Sequence, residues 1–330
     1  MRAVVCREFG HYRNLSVESV EAPTPGHNEV AIDVKATAVS FANILQIAGK
    51  HQNRATPPFI PGTEVCGIVA AVGEKVTGIR PGDRVVASAT NGGLAERAVA
   101  RDDLTFVMPD GLSFAEGTVF PSILATAYVG VVFEGRLEAG ETLLVHGAAG
   151  ATGQAAVQIG RALGATVIAC ASTEEKRAAA IEAGADHALA SDDFRDRVLE
   201  LTGGRGADVI FDPVGGAVFD QSLRCIAPEG RLLVIGFASG EIPKVPANIA
   251  LVKNIAVVGV YWGYYMGWAK QPPSARARRR LAECFADLFR LYEAGKIKPL
   301  VHATFPLEQF ADALDIVESR RAMGKVVLVT

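Results

Sequence analysis

Cysteine is scarce in this sequence and is not clustered. The chain has five cysteines among 330 residues, and no two of them stand in a CxxC pair. The sequence therefore predicts neither a disulfide framework nor a cysteine-rich zinc site. Each thiol is interpreted as a small buried hydrophobic side chain. The five residues are Cys6, Cys66, Cys170, Cys225 and Cys284.

A strong net charge, a long apolar run and a leader pattern are also missing. The net charge of −3 gives no electrostatic reason to expect a nucleic acid or an anionic membrane as a partner. The arginines of 276–280 have no aromatic residue among them, which favours a solvated helix face over a nucleic-acid patch. Residues 1–10 lack the apolar core of a signal peptide, and no apolar run is long enough to span a bilayer. We expect a cytoplasmic protein.

What the chain does have is ordinary globular composition and a distinctive glycine turn. It is 49% hydrophobic and 21% charged, and 330 residues are enough for two domains. Within the segment 140–177, the apolar run Leu143–Val145 precedes the turn GAAGATG at 147–153, and 154–163 then shows helical apolar spacing. The unpaired amides and the positive dipole end of this helix face the place where a diphosphate would lie. The pattern AxGxxG within a βαβ unit therefore predicts a dinucleotide site.

The end of the second strand of this unit bears on which dinucleotide binds. NAD sites carry an acidic residue there, whereas this chain has Ala171, Ser172 and Thr173. No carboxylate at the strand end would repel a 2′-phosphate, and Lys176 and Arg177 follow, so NADPH is favoured over NADH. The two cations also fit the solvated face of the next helix, and Glu174 and Glu175 lie close by.

The remaining chain predicts an α/β protein with a β-rich first part. Short Val-, Ala- and Ile-rich strands separated by Pro and Gly turns run from residue 29 to residue 100. The later segments 207–216, 230–240 and 254–263 read as parallel strands buried on both faces. Ligands bind at the carboxyl ends of such strands, so the residues there are candidate cofactor contacts, against the alternative of ordinary loops. They are Asp212, Pro213, Val214, Gly236 and Phe237.

Together these residues resemble the medium-chain dehydrogenase/reductase superfamily, in its zinc-independent quinone oxidoreductase (ζ-crystallin-like) branch. The resemblance spans the chain and is carried by Gly140, Glu141, Leu144, Ala148, Ala149, Gly150, Gly153, Gln158 and Arg161, while Ala151 replaces the usual second glycine. It implies a Rossmann doubly wound parallel sheet domain at 125–261 and a GroES-like β-barrel catalytic domain formed by 1–124 and 262–330. The implied cofactor contacts are Thr126, Ala149, Gly150, Ala151, Thr152, Gly153, Ser172, Lys176, Arg177, Ser191, Val214, Gly236, Phe237, Trp262 and Lys325.

The resemblance also locates the positions of a catalytic metal. Zinc alcohol dehydrogenases of the superfamily have a Cys where this chain has Ser40 and a His where it has Thr63. Hydroxyls are poor zinc ligands at neutral pH, and Glu64 alone does not hold a catalytic metal. We predict no metal site, so the substrate must accept hydride without polarisation by a Lewis acid.

A quinone, or an enone whose β-carbon accepts hydride, fits that requirement. The resemblance implies that Ser40, Phe41 and Asn43 lie on the substrate side and that Thr126 and Tyr128 lie near the nicotinamide. The aromatic residues of 261–265 either stack a planar acceptor or pack at an interface. His146 is interpreted as a residue that orients the glycine turn rather than as a catalytic imidazole.

The sequence thus predicts an NADPH-dependent, zinc-free quinone oxidoreductase. One alternative is a 2-alkenal or enoyl-thioester (enoyl-CoA) reductase, and another is an NADPH-binding structural or regulatory protein with little turnover. The predicted strand at 254–262 would lie at a sheet edge, where an apolar edge invites pairing with a second subunit. We therefore expect a homodimer with a small-molecule substrate and no nucleic-acid or membrane partner.

Overall fold

The computed structural model describes residues 1–319 and 322–330. The strands are β1 Arg2–Val5, β2 Ser16–Ser19, β3 Glu29–Val39, β4 Glu64–Val72, β5 Arg84–Ser88, β6 Arg97–Arg101, β7 Thr105–Val107, β8 Thr142–Val145, β9 Thr166–Ala171, β10 His187–Ala190, β11 Ala207–Asp212, β12 Ile226–Val234, β13 Ala256–Gly259, β14 Val301–Pro306 and β15 Lys325–Val329. The α-helices are α1 Phe41–Ile47, α2 Phe114–Gly117, α3 Ala125–Tyr128, α4 Ala151–Ala162, α5 Glu174–Glu182, α6 Phe194–Leu201, α7 Ala217–Cys225, α8 Ala247–Lys253, α9 Trp262–Tyr265, α10 Ala275–Glu293 and α11 Phe310–Glu318. Phe120–Leu124 and Val129–Glu134 are π-helical.

The chain divides into two compact units. The first comprises Met1–Ser122, Gly263–Phe285 and Pro299–Thr330, and the second comprises Ile123–Trp262 and Ala286–Lys298. The boundaries expected from the sequence, at 124 and 261, differ from these units mainly in one segment. The end of α10 and the residues after it, up to Lys298, group with the second unit rather than with the first.

The first unit is built on a mostly antiparallel sheet of seven strands. Its order is β14-β15-β3-β4-β5-β7, with β6 also paired to β3, and β14 and β15 run parallel. Close approach of β3 and β4 requires a glycine, because a Cβ at Gly67 would lie 2.1 Å from the oxygen of Asp33. The small and β-branched side chains of one sheet face form a core, which includes Val30, Ile32, Val65, Val85 and Ala98. This is the GroES-like β-domain.

The second unit contains a parallel sheet of six strands in the order β10-β9-β8-β11-β12-β13. Its central strands are buried on both faces, which explains their continuous apolar runs. The strand order reverses between β8 and β11, so the crevice beyond their carboxyl ends is a topological switch point. The unit is a Rossmann domain, and the predicted fold class is confirmed.

The helix that follows the glycine turn packs tightly onto this sheet. α4 contacts β8 and β9, and a Cβ at Gly160 in α4 would lie 2.5 Å from Leu143 Cδ2 of β8. A small residue is therefore needed at that position for helix and sheet to approach. The core beneath the helices includes Leu144, Ile168, Ile210, Phe219 and Leu232. All five cysteines are buried and unpaired, as predicted.

One helix in the described part of the chain, Phe114–Glu134, is long and apolar enough by length and composition to cross a membrane. No apolar run of this length was predicted from the sequence, because polar residues interrupt this segment. In the most apolar stretch of this helix, 72% is buried inside the structure. That degree of burial is typical of a core helix.

Candidate functional site

The turn after β8 has a geometry that only glycine allows at two positions. Gly147 adopts a φ of 58°, and its oxygen accepts a hydrogen bond of 2.9 Å from the Gly150 N–H. A Cβ at Gly153 would lie 2.3 Å from the same oxygen. The turn is thus folded tightly onto itself.

The first turn of α4 leaves its amides available to a ligand. The Gln154 N–H donates to Gly150 O at 2.9 Å, so the amides of Ala151, Thr152 and Gly153 precede the first bond within the helix. The N-cap is Gly150, which has no side-chain oxygen to accept from them. Three such amides at the positive end of a helix are an arrangement that can bind an anion such as a diphosphate. Ala151 begins the helix without disturbing this geometry.

The turn after β11 lies against the glycine turn, as expected at the switch point. A Cβ at Gly147 would lie 3.3 Å from Pro213 and 3.8 Å from Val214. Asp212 shapes this second turn, because its Oδ1 accepts from the N–H groups of Val214 at 2.8 Å and Gly215 at 3.0 Å. Burial raises the pKa of Asp212, and the two N–H bonds offset part of that rise.

Three more predicted contacts follow the carboxyl ends of the next two strands. Gly236 follows β12 and lies beside Pro213, since a Cβ there would be 3.4 Å from Pro213 O. Phe237 is half-exposed next to Gly215. Trp262 begins the helix after β13, where the Val260 N–H donates to Val234 O at 3.0 Å and extends the parallel pairing. The structure thus brings these residues to the same sheet edge as the glycine turn.

The predicted 2′-phosphate residues lie at the end of β9. Thr173 caps α5 and accepts from the Lys176 N–H at 3.2 Å. Arg177 reaches back from α5 so that its Nη1 lies 3.4 Å from Ala171 O, which places its charge next to the exposed Ser172. Ser191 follows β10, whose last residue pairs with Ala171. Residues with hydroxyl and cationic side chains therefore follow the carboxyl ends of β9 and β10.

The helix α3, which carries Thr126 and Tyr128, packs against α4. Tyr128 is buried, and its hydroxyl hydrogen-bonds Asp287, which also pairs with Arg290. The phenol is therefore held within the second unit by a carboxylate. Its predicted place near the nicotinamide stays a prediction.

The remaining predicted site residues belong to the first unit. Ser40 precedes α1, and its N–H donates to Asn43 Oδ1 at 2.7 Å. Lys325 is buried, pairs with Glu64, and donates to Ser122 Oγ at 3.1 Å. The predicted cofactor contact of Lys325 stays a prediction, with its amine engaged in this buried group. Sequence reasoning missed the ion pair, because its partners are far apart in the chain and no local pattern links them.

The residues at the metal positions of zinc dehydrogenases do not fit a zinc ion. Ser40 and Thr63 offer neutral hydroxyls, and the charge of the buried Glu64 is already matched by Lys325. Within residues 1–319 and 322–330, no group of three or more His, Cys, Asp or Glu side chains is placed to hold a metal ion. The side chains at these positions form hydrogen bonds and an ion pair rather than a set of zinc ligands.

A Rossmann sheet with a glycine turn at its switch point, together with a GroES-like domain, defines the medium-chain dehydrogenase/reductase class. The chain matches the alcohol dehydrogenase GroES-like domain over residues 26–127 and the family described as zinc-binding dehydrogenase over residues 151–274.

Relatives agree with this class. The chain is 39% identical over 335 residues to the quinone oxidoreductase-like protein 2 homolog of Nematostella vectensis, covering 100% of this chain and 89% of the relative. A mycobacterial quinone oxidoreductase has a TM-score of 0.90 at 32% identity, over 100% of both chains. The Escherichia coli quinone oxidoreductase complexed with NADPH has a TM-score of 0.85 at 28% identity, also over 100% of both chains. The chain belongs to the quinone oxidoreductase family of the medium-chain dehydrogenase/reductase superfamily and is an oxidoreductase.

Proposed function

We propose that this protein is an NADPH-dependent, zinc-independent oxidoreductase that delivers hydride to a quinone-type acceptor. The proposal rests mainly on the cationic residues that follow the carboxyl end of β9, in the same unit as the glycine turn at the switch point. Ser172 and Arg177 lie where NAD-binding units place a carboxylate. The E. coli quinone oxidoreductase with a similar structure is complexed with NADPH.

NADPH fits the residues of the second unit. Its diphosphate would bind the amides of Ala151, Thr152 and Gly153, and its 2′-phosphate would bind Ser172, Lys176 and Arg177. Further contacts are assigned by family resemblance to Thr126, Ala149, Gly150, Ser191, Val214, Gly236, Phe237, Trp262 and Lys325. When bound, NADPH supplies the hydride. The protein supplies position, hydrogen bonds and exclusion of water.

The proposed reaction uses no metal, on the chemistry of the side chains present. Ser40 and Thr63 lack the thiolate and imidazole that bind zinc, and Lys325 neutralises Glu64. A carbonyl that needs strong polarisation is therefore a poor substrate. A quinone ring accepts hydride without such help, and family resemblance assigns Ser40, Asn43 and Tyr128 to substrate positioning.

Steady-state oxidation of NADPH tests this function directly. The acceptor panel is 1,4-benzoquinone, 9,10-phenanthrenequinone, crotonyl-CoA and a 2-alkenal, each measured with NADPH and with NADH. We expect turnover with the quinones and a higher kcat/KM for NADPH. Turnover with crotonyl-CoA alone would replace the quinone assignment by an enoyl-thioester reductase. Tight NADPH binding with no turnover would indicate a structural or regulatory role.

The proposal includes a cytoplasmic homodimer. β13 lies at one edge of the six-stranded sheet. The segment before it exposes large apolar side chains, with Ile242 at 75%, Leu251 at 76% and Val252 at 77% exposure. An apolar patch next to an open strand edge favours a second copy of the chain as its partner.

A further inference from the structure

A chain of side-chain hydrogen bonds runs inward from Ser40 in the first unit. The Ser40 N–H and Oγ donate to Asn43 Oδ1 at 2.7 and 3.2 Å. Asn43 Nδ2 donates to Gln46 Oε1 at 3.2 Å, and Gln46 Nε2 donates to Asn91 Oδ1 at 3.4 Å. Asn43 and Gln46 are buried, so their polar atoms depend on one another rather than on bulk water.

Two backbone amides fix the direction of this chain. The Ser40 N–H can only donate, so the atom of Asn43 that faces it must be Oδ1, and Nδ2 must face Gln46. The Gly62 N–H lies 3.4 Å from Gln46 Oε1 and also can only donate. Gln46 therefore presents its oxygen to both Asn43 and Gly62. Neither amide can be flipped without placing donor against donor.

The orientation of the Asn43 amide determines whether the Ser40 hydroxyl donates or accepts a hydrogen bond with it. Asn43 Oδ1 is an acceptor only, so Ser40 Oγ donates its proton to it at 3.2 Å. One Oγ lone pair faces the Asn43 backbone N–H in the capping box of α1, and the other is what Ser40 offers to a ligand. A ligand group bound by Ser40 in this state must be an O–H or N–H donor, which NADPH and the reduced acceptor carry and the quinone itself does not. In this state Ser40 is not the acid that protonates a reduced acceptor.

The Gln46 amide also lies where three chain segments meet. It bonds to Asn43 in its own helix, to the Gly62 backbone and to Asn91. The segments of Gly62 and Asn91 are in tight contact, because a Cβ at Gly62 would lie 2.6 Å from the Leu94 nitrogen. Gly62 immediately precedes Thr63. One buried amide thus links the hydroxyl positions, Ser40 and Thr63, that stand in place of zinc ligands.

We propose that Gln46 is a positioning residue for the reaction. It holds Asn43 in the orientation that makes Ser40 Oγ an acceptor toward an O–H or N–H group of NADPH or of the reduced acceptor. The expected effect of Gln46 on kinetics rests on the proposed function. Its expected effect on the orientation of Asn43 rests on the hydrogen-bond directions alone.

A double-mutant cycle measures whether Gln46 acts through Ser40. Gln46→Leu removes the acceptor of Asn43 Nδ2, and we expect it to lower kcat/KM for the quinone by about tenfold. In the Ser40→Ala background the same change should have an effect below about twofold, because the hydroxyl that it positions is gone. Gln46→Glu keeps an oxygen toward Asn43 and Gly62 and should restore most of the activity. Equal losses from Gln46→Leu in both backgrounds would overturn the proposal.

Gln158→Leu is the matched control, since Gln158 is a buried glutamine bonded to the Lys298 backbone in the second unit. It should lower stability without changing kcat/KM for the quinone. If Gln46→Leu does not fold, Gln46→Met keeps the side-chain volume and takes its place in the cycle.

Crystal structures of the wild type and the Gln46 variant give a readout that needs no turnover. We expect Asn43 Oδ1 to leave hydrogen-bond distance of Ser40 Oγ in the variant, and an unchanged Ser40–Asn43 pair would overturn the proposal. If the wild type reduces none of the acceptors, the proposed function fails, while this comparison still decides the role of Gln46.

Discussion

The Nε2 atom of His146 lies 2.8 Å from Ser222 Oγ in the interior of the second unit. Ser222 donates its own proton to Val218 O at 2.8 Å, so its oxygen accepts from a His146 Nε2–H. The Phe194 ring contacts the imidazole edge-on, with the two ring centroids 4.6 Å apart. Burial lowers the pKa of His146 to about 3. A neutral imidazole with its proton committed to Ser222 orients the end of β8 and does not act as a catalytic acid.

The buried His146 makes stability depend on pH in a defined window. The unfolded chain takes up a proton at the ordinary imidazole pKa of about 6.5, while the folded protein does so only near pH 3. Because the unfolded state binds more protons between these values, the free energy of unfolding falls as pH decreases through the window. The slope from this one group is at most about 1.4 kcal/mol per pH unit. Urea unfolding at a series of pH values measures it.

His146→Gln separates this group from the carboxylates that titrate in the same range. The glutamine amide reaches about as far as Nε2, so it can still donate to Ser222, but it does not titrate. The variant should therefore be less stable at pH 7 yet lose less stability between pH 6.5 and 5. Identical pH slopes for the variant and the wild type would contradict the assignment of the window to His146.

Arg231 forms a partly buried, bidentate ion pair with Glu141 in the second unit. Its Nη1 and Nη2 bind both oxygens of Glu141 at 2.8 and 2.7 Å, and its Nε donates to Gly135 O at 2.7 Å. Burial raises the pKa of Glu141, but hydrogen bonds and charge from Arg231 reverse this, and the pKa is lowered overall. Arg231→Leu should cost about 3 kcal/mol, since it leaves the partly buried Glu141 with only the Glu138 N–H as a donor and removes the donor of two carbonyls.

Chemical unfolding of Arg231→Leu at pH 7 checks this value. The control is Arg197→Ala, which breaks an exposed pair with Glu200 on α6. It should leave the unfolding midpoint within error, because exposed pairs contribute little. Similar losses in the two variants would show that burial does not decide the strength of the Arg231 pair.

The glycine turn yields a graded prediction. Gly153→Ala would place a methyl 2.3 Å from Gly147 O, whereas Gly150→Ala would place one at 3.3 Å, where a small shift relieves it. Gly153→Ala should therefore weaken NADPH binding strongly and lower stability by about 1–3 kcal/mol, and Gly150→Ala should do less of both. Fluorescence titration with NADPH and thermal unfolding measure the pair.

Gly111→Ala is the control for this series, because a Cβ at Gly111 meets nothing within 4 Å. It should match the wild type in both assays. A Gly153→Ala variant that binds NADPH as the wild type does would contradict the close approach of the backbone to the diphosphate.

Local sequence was enough to predict the nucleotide unit, because strand, turn and helix follow one another there. The glycines, the parallel strands and the residues at their carboxyl ends, such as Val214 and Gly236, all lie within or beside short patterns. The segment 286–298 was harder, since it groups with the second unit through contacts made after a long helix.

Distant pairs could not be predicted in the same way. Glu64 and Lys325 meet only because β4 and β15 each pair with β3. Gln46 reads as an ordinary polar residue of a short helix until the fold brings Gly62 and Asn91 to it. Hydrogen-bond direction depends on such tertiary neighbours, and no spacing rule encodes it.

Cofactor preference should depend on the cations at the end of β9. Arg177→Ala removes the guanidinium beside Ser172, and Lys176→Ala removes the neighbouring amine. Each should raise the KM for NADPH by about tenfold and leave the KM for NADH nearly unchanged, because only NADPH carries the 2′-phosphate. Arg195→Ala removes an equal charge that is paired with Asp196 on α6 and serves as the control. Equal changes for both cofactors would show that these side chains do not contact the phosphate.

The apolar patch before β13 predicts how the oligomer can be broken. Leu251 and Val252 lie on α8, none of whose residues is buried, next to the open edge of β13. Leu251→Glu with Val252→Glu should shift the protein from dimer to monomer in sedimentation velocity, because two carboxylates would be desolvated at the contact. Leu201→Glu alters an exposed leucine on α6 and should leave the dimer intact. If the double variant stays dimeric, the subunits meet through another surface. If the wild type is monomeric, the proposed homodimer is wrong.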